Sequence, residues 1–86
     1  MQAEIAEIKR RIEAISKASA FGSRVRKVEV EADEDGDGGA FLRVSLQLES
    51  PESLDWNEVE PLVRTIEDSV AAIDERFPSV RFSDAA

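Results

Sequence analysis

Asp33, Asp35 and Asp37 alternate along a Gly-rich stretch, 33–39, that reads DEDGDGG. Carboxylates at every second position, ending on a glycine, are how a calcium loop begins. Oxygen ligands at its first, third and fifth places converge on a hard cation, and a glycine at the sixth permits the sharp turn. Asp33, Asp35, Asp37 and Gly38 fit those places, but Val44 stands where a bidentate glutamate should close the site. The flanks also read as strands rather than helices. The stretch is therefore expected to be a solvated hairpin tip that uses Asp and Gly to turn. A small regulatory divalent-metal-binding domain, with Asp33, Asp35 and Asp37 as ligands, is an alternative reading, and calcium binding is expected to be weak at most.

Nucleophilic and acid–base chemistry fails on inventory. The chain has no His, Cys or Tyr, so its serines and Thr65 have no imidazole base to activate them. Glu67, Asp68, Asp74 and Glu75 fall between the apolar positions of a helical stripe, where carboxylates ordinarily form the wet face. A protein without catalytic activity and without a cofactor is expected.

Charge is unevenly distributed. Net charge is −8 over 86 residues, yet residues 1–27 carry +4 and residues 28–86 carry −12. Lys9, Arg10, Arg11, Lys17, Arg24, Arg26 and Lys27 make the first third basic. An RNA-associated protein using that basic third is the second alternative. The overall acidity opposes it, because an acidic surface repels a phosphate backbone. The simpler expectation is that basic and acidic parts neutralise each other within the fold or across a dimer.

The elements that must position these residues follow from periodicity. Ile5, Ile8, Ile12 and Ile15 recur at spacings of 3, 4 and 3, which predicts a helix over 2–18 with one narrow apolar face. Gly22 is expected as the left-handed residue beyond its end. Val28, Val30 and Ala32 alternate with Glu29 and Glu31 in a strand over 25–32. A loop over 33–40 leads to a strand over 41–49, with Leu42, Val44, Leu46 and Leu48 on one face. Trp56, Val59, Val63, Ile66, Val70, Ile73 and Phe77 form a second helical stripe, over 55–76. Pro61 lacks an N–H, so an irregular first turn is expected before it. Pro78 is expected to end that helix, and 79–83 to form a third strand.

The expectation is one α+β domain over residues 1–86, a two-layer sandwich in α-β-β-α-β order, with both helices on one face of a three-stranded sheet. The third strand can run parallel to the second, beside either of the other two. About 60–65% of the chain's surface is buried at this size, so stability is marginal and association helps. No apolar stretch has the length of a secretory signal or a membrane span, so a cytoplasmic protein is expected. The leading expectation is a non-catalytic protein–protein interaction module, homodimeric or bound to another protein. Its interface would draw on Ile5, Ile8, Ile12, Ile15 and Trp56, or on an open sheet edge. Nucleic acid and membrane are not expected partners.

The α-β-β-α-β order resembles the cytoplasmic C-terminal domain of cation diffusion facilitator transporters. The likeness covers the whole chain as topology and implies a dimer and a bound metal, but the His and Cys ligands usual there are absent. The ending Phe77-Pro78-Ser79-Val80-Arg81-Phe82-Ser83-Asp84 is similar to the C-terminal end of ribosome-binding factor A, a family of basic KH-like fold. This chain is acidic instead.

Overall fold

The computed structural model describes residues 2–85. The chain forms α1 (Ile5–Ala18), β1 (Val25–Glu34), β2 (Ala40–Leu48), α2 (Trp56–Ala71) and β3 (Phe77–Asp84), with 3-10 turns at Gly22–Arg24 and Pro51–Ser53. β1 and β2 pair antiparallel, and β2 and β3 pair parallel. The sheet order is β1-β2-β3, so β3 lies beside β2, a choice that periodicity left open.

Alternation along β2 organises the core. Leu42, Val44, Leu46 and Leu48 are all fully buried on one face. Val30 and Val28 of β1 lie opposite Val44 and Leu46, and Val80 and Phe82 of β3 flank the same two residues from the other side. Ile8 and Ile12 of α1 and Val59, Leu62, Ile66 and Val70 of α2 pack onto this face. Each such side chain contributes about 1.5–3 kcal/mol through removal from water. Both helices therefore cover one side of the sheet. Lys27, Glu29, Glu31, Phe41, Arg43, Ser45 and Gln47 occupy the alternate positions on the other, uncovered face.

Several boundaries differ from those expected, each for a local reason. Residues 2–4 are not helical: Glu4 is the extended N-cap of α1, and the Ala3 N–H is held by a distant carboxylate. β1 and β2 reach further towards their hairpin, which leaves only residues 35–39 as its tip. α2 begins at Trp56, with the Asp55 carboxylate accepting the Asn57 N–H at 2.9 Å. It runs through Pro61 without the expected irregular turn. The hydrogen bond that Pro61 forfeits falls on Asn57, in the exposed first turn where water can serve its carbonyl. α2 ends at Ala71, not at 76, and Phe77 and Pro78 belong to β3.

Gly22 is also not left-handed; among the described glycines only Gly38 has a positive φ. Gly22 is required by crowding, since a Cβ there would stand 2.0 Å from the Lys17 carbonyl oxygen. Phe21, just before that close approach, lies in the core, where it is almost wholly buried. Ser50 adopts a left-handed backbone, φ 52°. The Arg24 guanidinium steadies this turn by donating to the Glu49 and Ser50 carbonyls and the Ser53 hydroxyl.

One ion pair ties the two ends of the fold. Asp74, 3% exposed, follows α2. Its Oδ1 accepts from the Arg76 N–H at 2.8 Å and from Arg76 Nε at 2.9 Å. Its Oδ2 accepts from Arg76 Nη2 at 2.7 Å and from the Ala3 N–H at 2.9 Å. Arg76 Nη2 also donates to the Ala3 carbonyl at 3.3 Å. The Arg76 hydrogen bonds, opposed by burial and helped by the two backbone donors, hold the Asp74 carboxyl far below the ordinary range. Because its folded pKa is depressed, Asp74 stabilises the fold fully above the unfolded value of about 3.9. That stabilisation is lost as pH falls from there towards the folded value.

Two outcomes follow from these contacts. Asp74→Asn should cost about 3 kcal/mol at pH 7, the low end for breaking a buried pair, since Arg76 keeps a strip of solvent contact. The variant should also lose stability less steeply than wild type below about pH 4, as read by urea unfolding at stepped pH. Ser16 is fully buried in α1, and among the described residues its hydroxyl has no hydrogen-bond partner. Ser16→Ala should therefore raise stability by roughly 1 kcal/mol, and a loss of that size would show that the hydroxyl is in fact served.

Candidate interaction surface

The three aspartates of the hairpin do not converge. Asp33 stands on β1, opposite Phe41, and pairs with Arg43 on the uncovered sheet face at 2.5 Å. Asp35 turns its carboxylate into the loop, where Oδ1 accepts the N–H groups of Asp37 and Gly39, both at 2.9 Å. The Gly38 N–H closes the turn on the Asp35 carbonyl at 3.1 Å, and Gly38 takes the left-handed φ of +83°. This is a four-residue turn with a glycine bulge, the usual closure of a short hairpin. Among the described residues no group of three acidic side chains is placed to hold a metal ion.

The basic first third is largely neutralised by neighbours. Arg10 and Arg11 both reach Glu7 on α1, Arg26 reaches Glu49 across the β1–β2 ladder, and Lys27 meets Glu29 at 2.6 Å. The Arg10 hydrogen bond leads in lowering the Glu7 pKa, and the Lys27–Glu29 contact lowers one pKa and raises the other. On the uncovered face, cations and carboxylates alternate rather than gather into a stripe of one sign.

The isoleucine stripe is mostly consumed inside the molecule. Ile8 and Ile12 have no exposed surface, so they can meet a partner only if the fold opens. Ile5 and Ile15 are partly buried against the same core. Trp56 differs. It occupies the first helical position of α2, beside its cap, and is 71% exposed. Phe77, the last member of the second stripe, is 61% exposed because it opens β3 on the uncovered sheet face, paired with Phe41.

The two sheet edges are chemically unlike. Along β1, Lys27, Glu29, Glu31 and Asp33 place a charge at every second position, and the ladder is irregular between Val25 and Lys27. Charges and irregularities of that kind discourage another strand from pairing. β3 reads Phe77-Pro78-Ser79-Val80-Arg81-Phe82-Ser83-Asp84, with one cation in its middle. The orientation of its backbone follows from one bond. The Ala85 N–H donates to the Leu48 carbonyl at 3.0 Å, so odd-numbered residues turn their backbone groups towards β2 and even-numbered ones turn theirs outward. Pro78 thus falls on an outward position, where its missing N–H costs the sheet nothing. Val80 and Phe82 present N–H and C=O groups along the open edge. Beside them lies a groove of about 500 Å³ between β3 and α2, lined by Trp56, Val59, Glu60, Val63, Val80, Arg81 and Phe82.

The exposure of Trp56 was foreseeable, because it precedes Pro61 on the stripe. The outward backbone of Val80 and Phe82 was not, since it depends on which strand β3 joins. A comparison with protein-family models, curated proteins and solved structures finds no significant match.

The turn chemistry of the hairpin is separable from metal chemistry by mutation. Asp35→Ala removes the acceptor for two loop N–H groups and should lower stability by about 1 kcal/mol, whereas Asp37→Ala should change it by less than about 0.5 kcal/mol. Thermal unfolding with and without millimolar calcium reads both. A calcium-dependent rise in midpoint, lost equally in both variants, would contradict the turn reading.

Proposed function

We propose that this chain is a non-catalytic protein–protein interaction module that receives an extended partner segment along the β3 edge. The observation that carries the reading is the pairing of open backbone groups at Val80 and Phe82 with an adjoining apolar groove capped by an exposed tryptophan. A strand added at a sheet edge gains affinity from main-chain hydrogen bonds and selectivity from pockets for every second side chain. Val63, Val80 and Phe82, each partly buried, form the floor of such a pocket. Trp56 supplies the large amphipathic anchor found at the centre of many interfaces.

The residues that support a metal or RNA reading are already engaged. Asp35 serves its own loop, Asp33 is paired with Arg43, and most cations of the first third face a carboxylate. The side-chain inventory lacks a histidine base for its serine and threonine hydroxyls. Among the described residues no helix is long and apolar enough to cross a membrane.

Displayed random peptides selected against the folded chain test the reading. The selected peptides should alternate apolar and polar residues, and their binding should fall at least tenfold in Trp56→Ala. The thermal midpoint of that variant should stay within about 2 °C of wild type, because the indole is mostly outside the core. Peptides that bind equally well to Trp56→Ala would place recognition elsewhere and overturn the proposal.

A further inference from the structure

We infer that α1 is a lid, latched at its start by the Asp74–Arg76 pair and loosened near its end by the buried Ser16 hydroxyl. It opens about Ser19 and Ala20 while the sheet and α2 stay folded. The latch lies outside the helix. Glu4, the N-cap, makes no side-chain capping bond to α1 among the described residues. The residue before it is gripped instead by both of its backbone groups. The Ala3 N–H donates to Asp74 Oδ2 at 2.9 Å, and the Ala3 carbonyl accepts from Arg76 Nη2 at 3.3 Å. Asp74 and Arg76 follow α2, so they belong to the part of the molecule that stays behind. Their bonds to each other do not involve Ala3, so the pair survives when Ala3 leaves. Release therefore strands no unpaired buried charge, and the contact is a latch rather than a permanent joint.

The other end of α1 supplies the opposing push. Ser16 is fully buried, and its hydroxyl, unpartnered among the described residues, penalises only the docked helix, since water serves it once the helix lifts. Ile8 and Ile12 hold α1 down, and Ser16, one turn further on, works against them. Phe21, almost wholly buried, keeps the rest of the connection in the core, so the bend falls before it, at Ser19 and Ala20. What α1 leaves behind keeps its own structure. α1 lies over β1 and beside α2, whereas α2 lies over β3. Both strand ladders and the seat of α2 on β3 are untouched when α1 lifts. Opening bares Ile8 and Ile12 of the helix and Val28 and Val30 of β1, apolar surface that the closed molecule withholds. Segments that open alone in this way occupy the low end of a fold's range of local stability.

Native-state hydrogen exchange of the full chain, followed at stepped low urea, tests the lid. Amides of α1 should exchange roughly tenfold or more faster than those of β2, and with a weaker dependence on urea, because lifting one helix exposes less surface than unfolding the whole. Amides of α2 should exchange with those of β2. Ser16→Ala should slow exchange in α1 about fivefold, since the closed state no longer carries the orphaned hydroxyl. Ala3→Pro removes only the N–H given to Asp74 and should speed exchange in α1 several-fold. Amides of α1 as slow as those of β2, with the same urea dependence in the unmodified chain, would show that α1 leaves only when everything unfolds and would overturn the lid. Fast exchange in α1 that neither substitution moves would mark fraying of the helix and would overturn it equally. The groove beside β3 has no α1 residue in its lining, so neither failure bears on recognition there.

Discussion

Everything in this molecule follows from the burial of one face of β2. Leu42, Val44, Leu46 and Leu48 lie on that face without exposed surface, and the strand is central, so its neighbours must present apolar residues in register on both sides. Two helices suffice to cover three strands on one side only. The opposite face therefore has to satisfy itself with water and with cross-strand pairs. It does so with Lys27–Glu29 and Asp33–Arg43, exposed contacts that each contribute little to stability and chiefly avoid like-charge neighbours. An 86-residue chain that covers only one sheet face has little surplus, and the Asp74–Arg76 pair shows how it economises. A single buried carboxylate fixes the segment before α1, the turn after α2 and the first residue of β3's approach at once.

The same economy leaves edges. A closed barrel has none, but a three-stranded sheet must end twice. β1 ends with a charge on alternate positions and an irregular ladder, both of which resist further pairing. β3 ends with valine and phenylalanine beside an exposed indole. If both edges needed only solubility, both should look like β1. The difference between them is the physical ground on which recognition at β3 is proposed, and it does not depend on any catalytic group.

Fold class was legible in the sequence because every element has a clear period: two for the strands, and alternating threes and fours for the helices. The α-β-β-α-β order and the inward faces of β1, β2 and α1 follow directly. What was not legible is tertiary. Phe21 sits in a connection and carries no periodic signal, and it enters the core at the tight turn where Gly22 approaches the Lys17 carbonyl. Leu62 lies off the simple stripe of α2 yet is core, since the helix settles between α1 and β3 rather than on a single line. Phe77 fits the helical stripe by spacing, but the chain leaves the helix six residues earlier, so the spacing is coincidental. Pro61 misled in the other direction, because a proline early in a helix forfeits its bond where water replaces it.

The candidate site shows the same division between local and tertiary information. Its tryptophan was visible, since a large aromatic next to a helix cap has few core neighbours. Its backbone donors were not, since whether Val80 points outward depends on the strand that β3 joins. The Asp-rich hairpin shows the reverse case, a local pattern strong enough to suggest chemistry. Alternate carboxylates and glycines serve a metal only when the backbone curls them around one point. In a tight hairpin between strands, Asp35 is bonded to the loop's own N–H groups and Asp33 belongs to the sheet. The residue types shared by turns and calcium loops are shared for one reason: short oxygen-bearing side chains and glycine suit any sharp reversal of the chain. What separates the two outcomes is the position of the next carboxylate, and here Val44 is buried in the core where that ligand would have to stand.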